Sequence, residues 1–313
     1  MPGKFMLQPR HSILSAIALC TLSALCQQSL DSLAQARSLV DAGKLQEAEV
    51  LLRKEVGAHP TSAEAHFLLG YILFRKQKPT ESLAEFTAGA KYKHPNPDEL
   101  KTVASDYVML GDYGDADKWF SQVVIVRPDD ADTWYLLGRT KFSETNYSEA
   151  VSCFQRALAL RPKYIEAENN LGLAWKALSE MDKARDAFQT AIDWQGDTPL
   201  DAQPFFNLGT LLADQNNLDK AIPLLNRAAA IAPKNPSIHE ELGKAYLAQQ
   251  DLQKAQKELE LAITLAPDIS SLHYKLAQIY RKEGLADQAE KEFARCEELS
   301  STHSSTKTPN PPH

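Results

Sequence analysis

Apolar and small residues recur along this chain with a short period nested inside a long one. Trp134, Leu137 and Gly138 fall at i, i+3 and i+4, which places them on one face of a helix. A second group, Ala150, Phe154 and Ala157, follows and ends at Pro162. Proline supplies no amide proton and clashes with the preceding turn, so it closes the second helix. The ending then recurs: Phe154 to Pro162 is matched by Leu225 to Pro233 and by Leu259 to Pro267. Pro128 and Pro162 are 34 residues apart, and so are Pro233 and Pro267. The pattern predicts helical hairpins of 34 residues, repeated through most of the chain.

Further copies support this reading. Leu171, Gly172, Trp175, Ala184, Phe188 and Ala191 repeat the set, as do Phe205, Leu208, Gly209, Leu212, Ala221, Leu225 and Ala228. Leu242, Gly243, Tyr246, Ala255, Leu259 and Ala262 form another copy, and Leu276, Ala277, Tyr280, Ala289 and Phe293 another. Toward the N-terminus Leu69, Gly70, Leu73 and Phe86 mark one unit, with Ser82 in its alanine slot, and Val103, Ala104, Tyr107, Ala116 and Phe120 mark the next. The first unit is worn. Ala36, Ala48, Leu52 and Pro60 fit, but Gln35 replaces the leucine and Glu55 the last small residue. Glycine or alanine in the third slot lets the second helix approach closely. The periodicity breaks once, through Trp194 to Leu200, where three extra residues read as a lengthened turn.

These slots resemble those of tetratricopeptide repeat (TPR) proteins over residues 29–299. The resemblance implies an all-α fold, a right-handed superhelical α-solenoid of about eight helix-turn-helix hairpins. The units expected are 29–62, 63–96, 97–130, 131–164, 165–201, 202–235, 236–269 and 270–299, with the worn first unit as a cap.

Composition changes this picture mainly at the ends. Lys4, Arg10 and His11 precede an uncharged apolar run from Ile13 to Cys26. The run is shorter than the ~20 residues of a spanning helix, so 1–26 reads as a signal peptide, with cleavage before Gln27 or after Ser23. The alternative is an N-terminal membrane anchor that is not removed. The expected location is therefore extracytoplasmic, periplasmic or secreted. Of four cysteines only Cys153 and Cys296 lie beyond this segment, in different repeats, so packing rather than a disulfide framework must stabilise the array. Residues 300–313 are polar and proline-rich and read as a disordered tail. A net charge of -7 argues against nucleic acid as a partner.

Signatures of catalysis are missing. Gly111 and Gly114 frame a helical turn rather than a strand-to-helix phosphate loop, and Gly-x-Ser-x-Gly does not occur. His66, His239 and His273 occupy the slot of Trp134 and read as packing residues rather than metal ligands. No catalytic, cofactor-binding or metal-ligating residue is assigned, and no enzyme is expected. Asn146-Tyr147-Ser148 is a formal glycosylation acceptor in a turn.

The resemblance further implies that first helices line a concave groove, with the residues after the Trp and Gly slots pointing into it. Those positions give Phe67, Tyr71 and, one turn on, Phe74, then Tyr135, Arg139 and Phe142, then Phe206 and Thr210, and finally Tyr274 and Gln278. Asn170 and Asn207 are equivalent in adjacent repeats, where some relatives use an asparagine ladder to hold a peptide backbone. The family's carboxylate clamp for chaperone tails is not matched by Tyr135, Arg139, Asn170, Gln203 and Asn207. The expected function is an exported scaffold that binds a protein or peptide through its groove. The alternative is a structural subunit of a self-associating or envelope-associated assembly.

Overall fold

Residues 31–305 are described by a computed structural model. The expected signal peptide, 1–26, lies outside them, as do residues 27–30 and 306–313. The described residues form sixteen helices and no strand, divided into two compact units after Glu149.

Unit 1 contains α1 (31–41), α2 (Leu45–Ala58), α3 (Ala63–Arg75), α4 (Pro79–Ala90), α5 (Pro97–Leu110), α6 (Tyr113–Val126) and α7 (Ala131–Ser143). Helix α8 (Tyr147–Leu160) carries the division. Unit 2 continues with α9 (Ile165–Ala177), α10 (Met181–Asp193), α11 (Gln203–Asp214), α12 (Leu218–Ile231), α13 (Pro236–Ala248), α14 (Leu252–Leu265), α15 (Ser270–Lys282) and α16 (Ala286–Ser305). Odd-numbered helices are the first members of hairpins. In unit 1 α3 and α5, and in unit 2 α11, α13 and α15, pack against the even-numbered helix that follows and against the one that precedes. Residues 300–305, assigned to the tail from their polarity, are instead the last part of α16. Ser300 and Ser301 hydroxyls there donate to the carbonyls of Cys296 and Glu298.

Local chemistry sets the helix ends. Ser62, Asn96, Asp112, Asp130, Asn235 and Asp251 accept backbone N–H bonds at helix starts, and Asn96 with Glu99 completes a capping box. The residue before each closing proline is driven out of the helical region. His59, Arg127, Ala232 and Ala266 have φ of -131°, -125°, -125° and -144°.

Between the two helices of a hairpin, the chain turns through one left-handed residue. Gly43, Gln77, Gly111, Thr145, Ser179, Asn216, Gln250 and Gly284 take this role, with φ from 58° to 78°. The next residue's N–H then bonds a carbonyl five residues back, as in Lys78 to Leu73 and Asp251 to Tyr246.

The core is a series of clusters between helices. Phe188 is fully buried with Leu208, Leu211 and Leu212 of the following hairpin. It reaches that depth because Gly172 has no side chain: a Cβ there would lie 2.5 Å from Phe188 Cε1. Burial of such a ring contributes up to about 3 kcal/mol. The worn first unit is also packed, with Leu33, Ala36, Ala48 and Leu52 against Leu69, Ile72 and Leu73.

The lengthened turn is clasped by one side chain. Gln195 Oε1 accepts from the N–H of Leu200 and Asp201, and its Nε2 donates to Asp201 O.

Candidate functional site: the face of the first helices

The slot of Trp134 joins one hairpin to the next. Trp134 Nε1 donates to Pro128 O at 3.0 Å. In three other hairpins a buried histidine reproduces that bond. The Nε2 atoms of His66, His239 and His273 lie 3.1, 3.0 and 2.9 Å from the carbonyls of Pro60, Pro233 and Pro267. Their Nδ1 atoms lie 2.6, 2.7 and 2.6 Å from Glu85, Glu258 and Glu292, each 19 residues further on. The carbonyl can only accept, so Nε2 carries a proton and the carboxylate holds the opposite edge of the ring. These histidines are therefore packing residues with both nitrogens engaged. Glu168 occupies the same slot, with Ala187 19 residues on, and burial pushes its carboxyl up to about 7.

The expected groove residues of unit 1 are of three kinds. Phe67 is only 3% exposed, and its ring stacks on Phe86 at 5.9 Å. The reason is Gly89, which stands where other hairpins have alanine: a Cβ there would lie 2.6 Å from Phe67 Cε1. Phe67 thus turns inward and lends an edge to a cavity of about 360 Å³ shared with Arg37, Tyr71 and Glu99. Burial raises the Glu99 carboxyl, while hydrogen bonding to Lys93 lowers that of Glu64 on the same rim.

Tyr71, Tyr135 and Arg139 keep accessible surface. Tyr71 OH accepts from Arg75 Nη1 at 3.0 Å, and the Arg139 guanidinium lies 5.8 Å from the Tyr135 ring centroid. Phe74 and Arg139 line a second cavity of about 340 Å³, with Val108, Met109, Tyr113 and Leu136. Phe142 instead packs edge-on to Tyr147 at 5.2 Å.

In unit 2, Asn207 Nδ2 donates to Asn169 Oδ1 at 2.8 Å, whereas Asn170 Nδ2 donates to Glu166 O of its own helix. The side chain opposite Asn207 is therefore Asn169, one residue from the expected rung. One step along a helix turns a side chain by about 100°. Phe206 packs against the buried cluster of the last hairpins. Tyr274 is 48% exposed and rests edge-on against Phe293 at 5.7 Å. Arg37, Met109, Tyr113 and Asn169 were not singled out from sequence. Arg37 follows the small residue Ala36 as Arg139 follows Gly138, which is the signal that would have found it.

Among the described residues, no group of three or more His, Cys, Asp or Glu side chains could hold a metal ion. No helix of these residues is long and apolar enough to cross a membrane.

Models described as tetratricopeptide repeat match residues 33–96, 131–164, 164–234, 212–273 and 270–303. Tetratricopeptide repeat-containing protein trd-1 of Caenorhabditis elegans is 24% identical over 186 residues, covering 59% of this chain and 23% of its own length. The chain spans a quarter or less of the length of the curated relatives it matches, 15% to 24%. Among solved structures, a tetratricopeptide repeat protein from Parabacteroides merdae is similar at a TM-score of 0.65 and 20% identity, over 81% of this chain and 99% of that one. The APC/C hetero-tetramer Cut9-Hcn1 is similar at 0.61 and 19% identity, over 78% of this chain and 48% of that one. Those two likenesses concern the fold alone. With repeat models matching residues 33–96 and 131–303, this chain belongs to the tetratricopeptide repeat family.

Proposed function

We propose that this protein is an extracytoplasmic scaffold that holds a protein or peptide on the face of its first helices. The observation that carries the reading is where the aromatic side chains stop being buried. The slots that join helices are filled by buried Leu, Phe, Gly and Ala. Tyr71, Phe74, Tyr135 and Tyr274, one or more residues beyond those slots, retain accessible surface. Partly exposed aromatic rings beside arginine are the residue types that dominate binding energy at interfaces. Stacked hairpins offer such rings as an extended surface, which suits an elongated ligand better than a small molecule.

Export rests on different residues. Lys4 and Arg10 followed by the uncharged stretch Ile13 to Cys26 form the basic and apolar parts of a secretory signal. Cys153 and Cys296 are both free thiols, so packing of the described residues does not depend on a disulfide between them.

Affinity capture from the native envelope or secreted fraction tests the binding reading. Alanine at Tyr71 and Tyr135 together, or at Tyr274, should reduce recovery of the partner while leaving helical circular dichroism unchanged. Undiminished recovery with every variant would sink it. N-terminal sequencing of the isolated protein tests export separately: a chain beginning at Gln27 supports it, and an intact Met1 in the cytosolic fraction excludes it.

A further inference from the structure

Among the described residues, two arginines on the first helices of unit 1, Arg75 and Arg139, make no ion pair with a carboxylate. Arg75 donates to the Tyr71 hydroxyl and Arg139 lies over Tyr135, whereas the charge of Arg37 acts on the Glu64 carboxylate and helps to hold it low. The lysines around them are different. Lys76 pairs with Glu49, Lys101 with Asp130, and Lys141 with Asp117 and Glu149. Arg37 and Arg139 sit at the same place in their repeats, immediately after the small residue that seats the second helix. The cavity beside Arg37 carries Glu64, Asp98 and Glu99 as well as Lys101, whereas the cavity beside Arg139 has no carboxylate on its lining, so a chain of net charge -7 keeps a positive charge there.

The second cavity adds shape to charge. Its wall is apolar, from Phe74, Val108, Met109, Tyr113 and Leu136, and Arg139 stands among them. Met109 is 41% exposed although it lines this recess. About 340 Å³ is ample for one bulky aliphatic or aromatic side chain, and the guanidinium is placed to receive a carboxylate close by.

We propose that this face receives an acidic segment of a partner protein, with a bulky apolar side chain in the cavity beside Met109 and a neighbouring carboxylate on Arg139. The proposal rests on the reading of the first helices as the binding surface, and it names the class of ligand. Charge complementarity selects the occupant. A basic segment would meet like charge at Arg75 and Arg139, and a purely apolar one would leave both without a carboxylate.

The test uses the full chain and three fluorescein-labelled peptide pools. Each pool has a central Leu or Phe, flanked by Asp and Glu, by Gln and Asn, or by Lys and Arg. Binding is read by fluorescence anisotropy at low salt. The acidic pool should bind at least tenfold more tightly than the amide pool, and its affinity should fall as salt is added. Arg139→Gln should remove that preference, Met109→Glu should weaken binding at least tenfold, and Ile125→Glu, at a site 78% exposed outside the cavity, should change nothing. If the amide or basic pool binds as tightly as the acidic one and Met109→Glu still abolishes binding, the acidic class is wrong and the binding surface stands. If no pool binds, or Met109→Glu is without effect, the binding-surface reading fails for this cavity and the proposal falls with it.

Discussion

Ser82 and Asp106 form a buried polar pair that joins two hairpins of unit 1. Ser82 Oγ lies 2.6 Å from Asp106 Oδ2 and 2.8 Å from Gly70 O, and both side chains are fully buried. Both residues depart from the repeat. Ser82 fills the slot that holds Ala116, Ala150 and Ala184 elsewhere, and Asp106 fills that of Ile72, Ala174 and Ile279. One hydroxyl proton cannot serve two acceptors. Both contacts are satisfied when Asp106 is protonated and donates to Oγ, which in turn donates to Gly70 O. Burial pushes the Asp106 carboxyl up to about 7, against the lowering effect of Ser82, and Oδ1 has no hydrogen-bond partner.

Stability should therefore decline as pH rises through neutrality. An acid whose folded pKa is raised favours folding most below its unfolded value, near 3.9, and loses that contribution as pH climbs through the folded value. A shift from about 4 to about 7 corresponds to at most about 4 kcal/mol. Glu168 acts in the same direction. Asp98 and Glu49 act oppositely, since Arg127 and Lys76 hold their carboxyls low, and their contribution is lost only below about pH 4. Urea unfolding at pH 5.5 and 8 should give a higher midpoint at pH 5.5. Asp106→Asn should raise the pH 8 midpoint and flatten the profile. A wild-type midpoint that rises toward pH 8 would rule out a neutral Asp106.

Removing one member of the pair should be worse than removing both. Ser82→Ala restores the repeat's usual residue but strands a buried carboxyl, at a cost of about 1–3 kcal/mol. Ser82→Ala with Asp106→Ile rebuilds the apolar arrangement found around Ile72 and should recover most of that loss. Denaturant melts of the single and double variants at pH 8 decide the matter. An additive double variant would mean that the two side chains are not coupled.

The His–Glu pairs should behave as units too. His239→Phe removes the partner of both Pro233 O and Glu258, so about 1–3 kcal/mol should be lost. His239→Trp with Glu258→Ala imitates the hairpin in which Trp134 bonds Pro128 O, and should be closer to wild type. The readout is again the unfolding midpoint, with helical content as a control for folding.

How much of this was legible in the sequence depended on how far apart the informative residues lie. Hairpin positions could be read because closing prolines and small residues recur at a fixed spacing, and one proline or glycine suffices to mark a slot. The His–Glu coupling was present too: His66, His239 and His273 each have Glu 19 residues on, while Trp134 has Cys153 and Phe205 has Leu224. It escaped notice because neither residue is unusual alone. The inward turn of Phe67 depended on Gly89, 22 residues away on the facing helix, and no periodicity of one helix reveals that. That Asn207 bonds Asn169 while Asn170 bonds its own helix could not be read from the equivalence of Asn170 and Asn207, because one step along a helix turns a side chain to another neighbour. The extension of α16 to Ser305 was hidden by composition, since serine hydroxyls bonded to helix carbonyls leave no apolar stripe.

The left-handed turn residue is the other feature that sequence concealed, and it yields the last prediction. Glycine marks this position in only three of the hairpins, at Gly43, Gly111 and Gly284. Elsewhere the turn's two backbone hydrogen bonds hold a side chain in the same conformation. Thr145, at φ 63°, bears the greatest strain among them because its branched Cβ crowds the backbone. Its N–H still bonds Phe142 O, and Asn146 N–H bonds Lys141 O, so the conformation is fixed by the turn and not by the side chain. Thr145→Gly should relieve that strain and stabilise the protein by about 0.5–1 kcal/mol, after the entropy that glycine adds to the unfolded chain is subtracted. Gly111→Thr, the reverse exchange at φ 77°, should destabilise by a similar or larger amount. Thermal and urea unfolding of both variants provide the measurement. A destabilised Thr145→Gly would show that the threonine side chain contributes contacts worth more than the strain it carries.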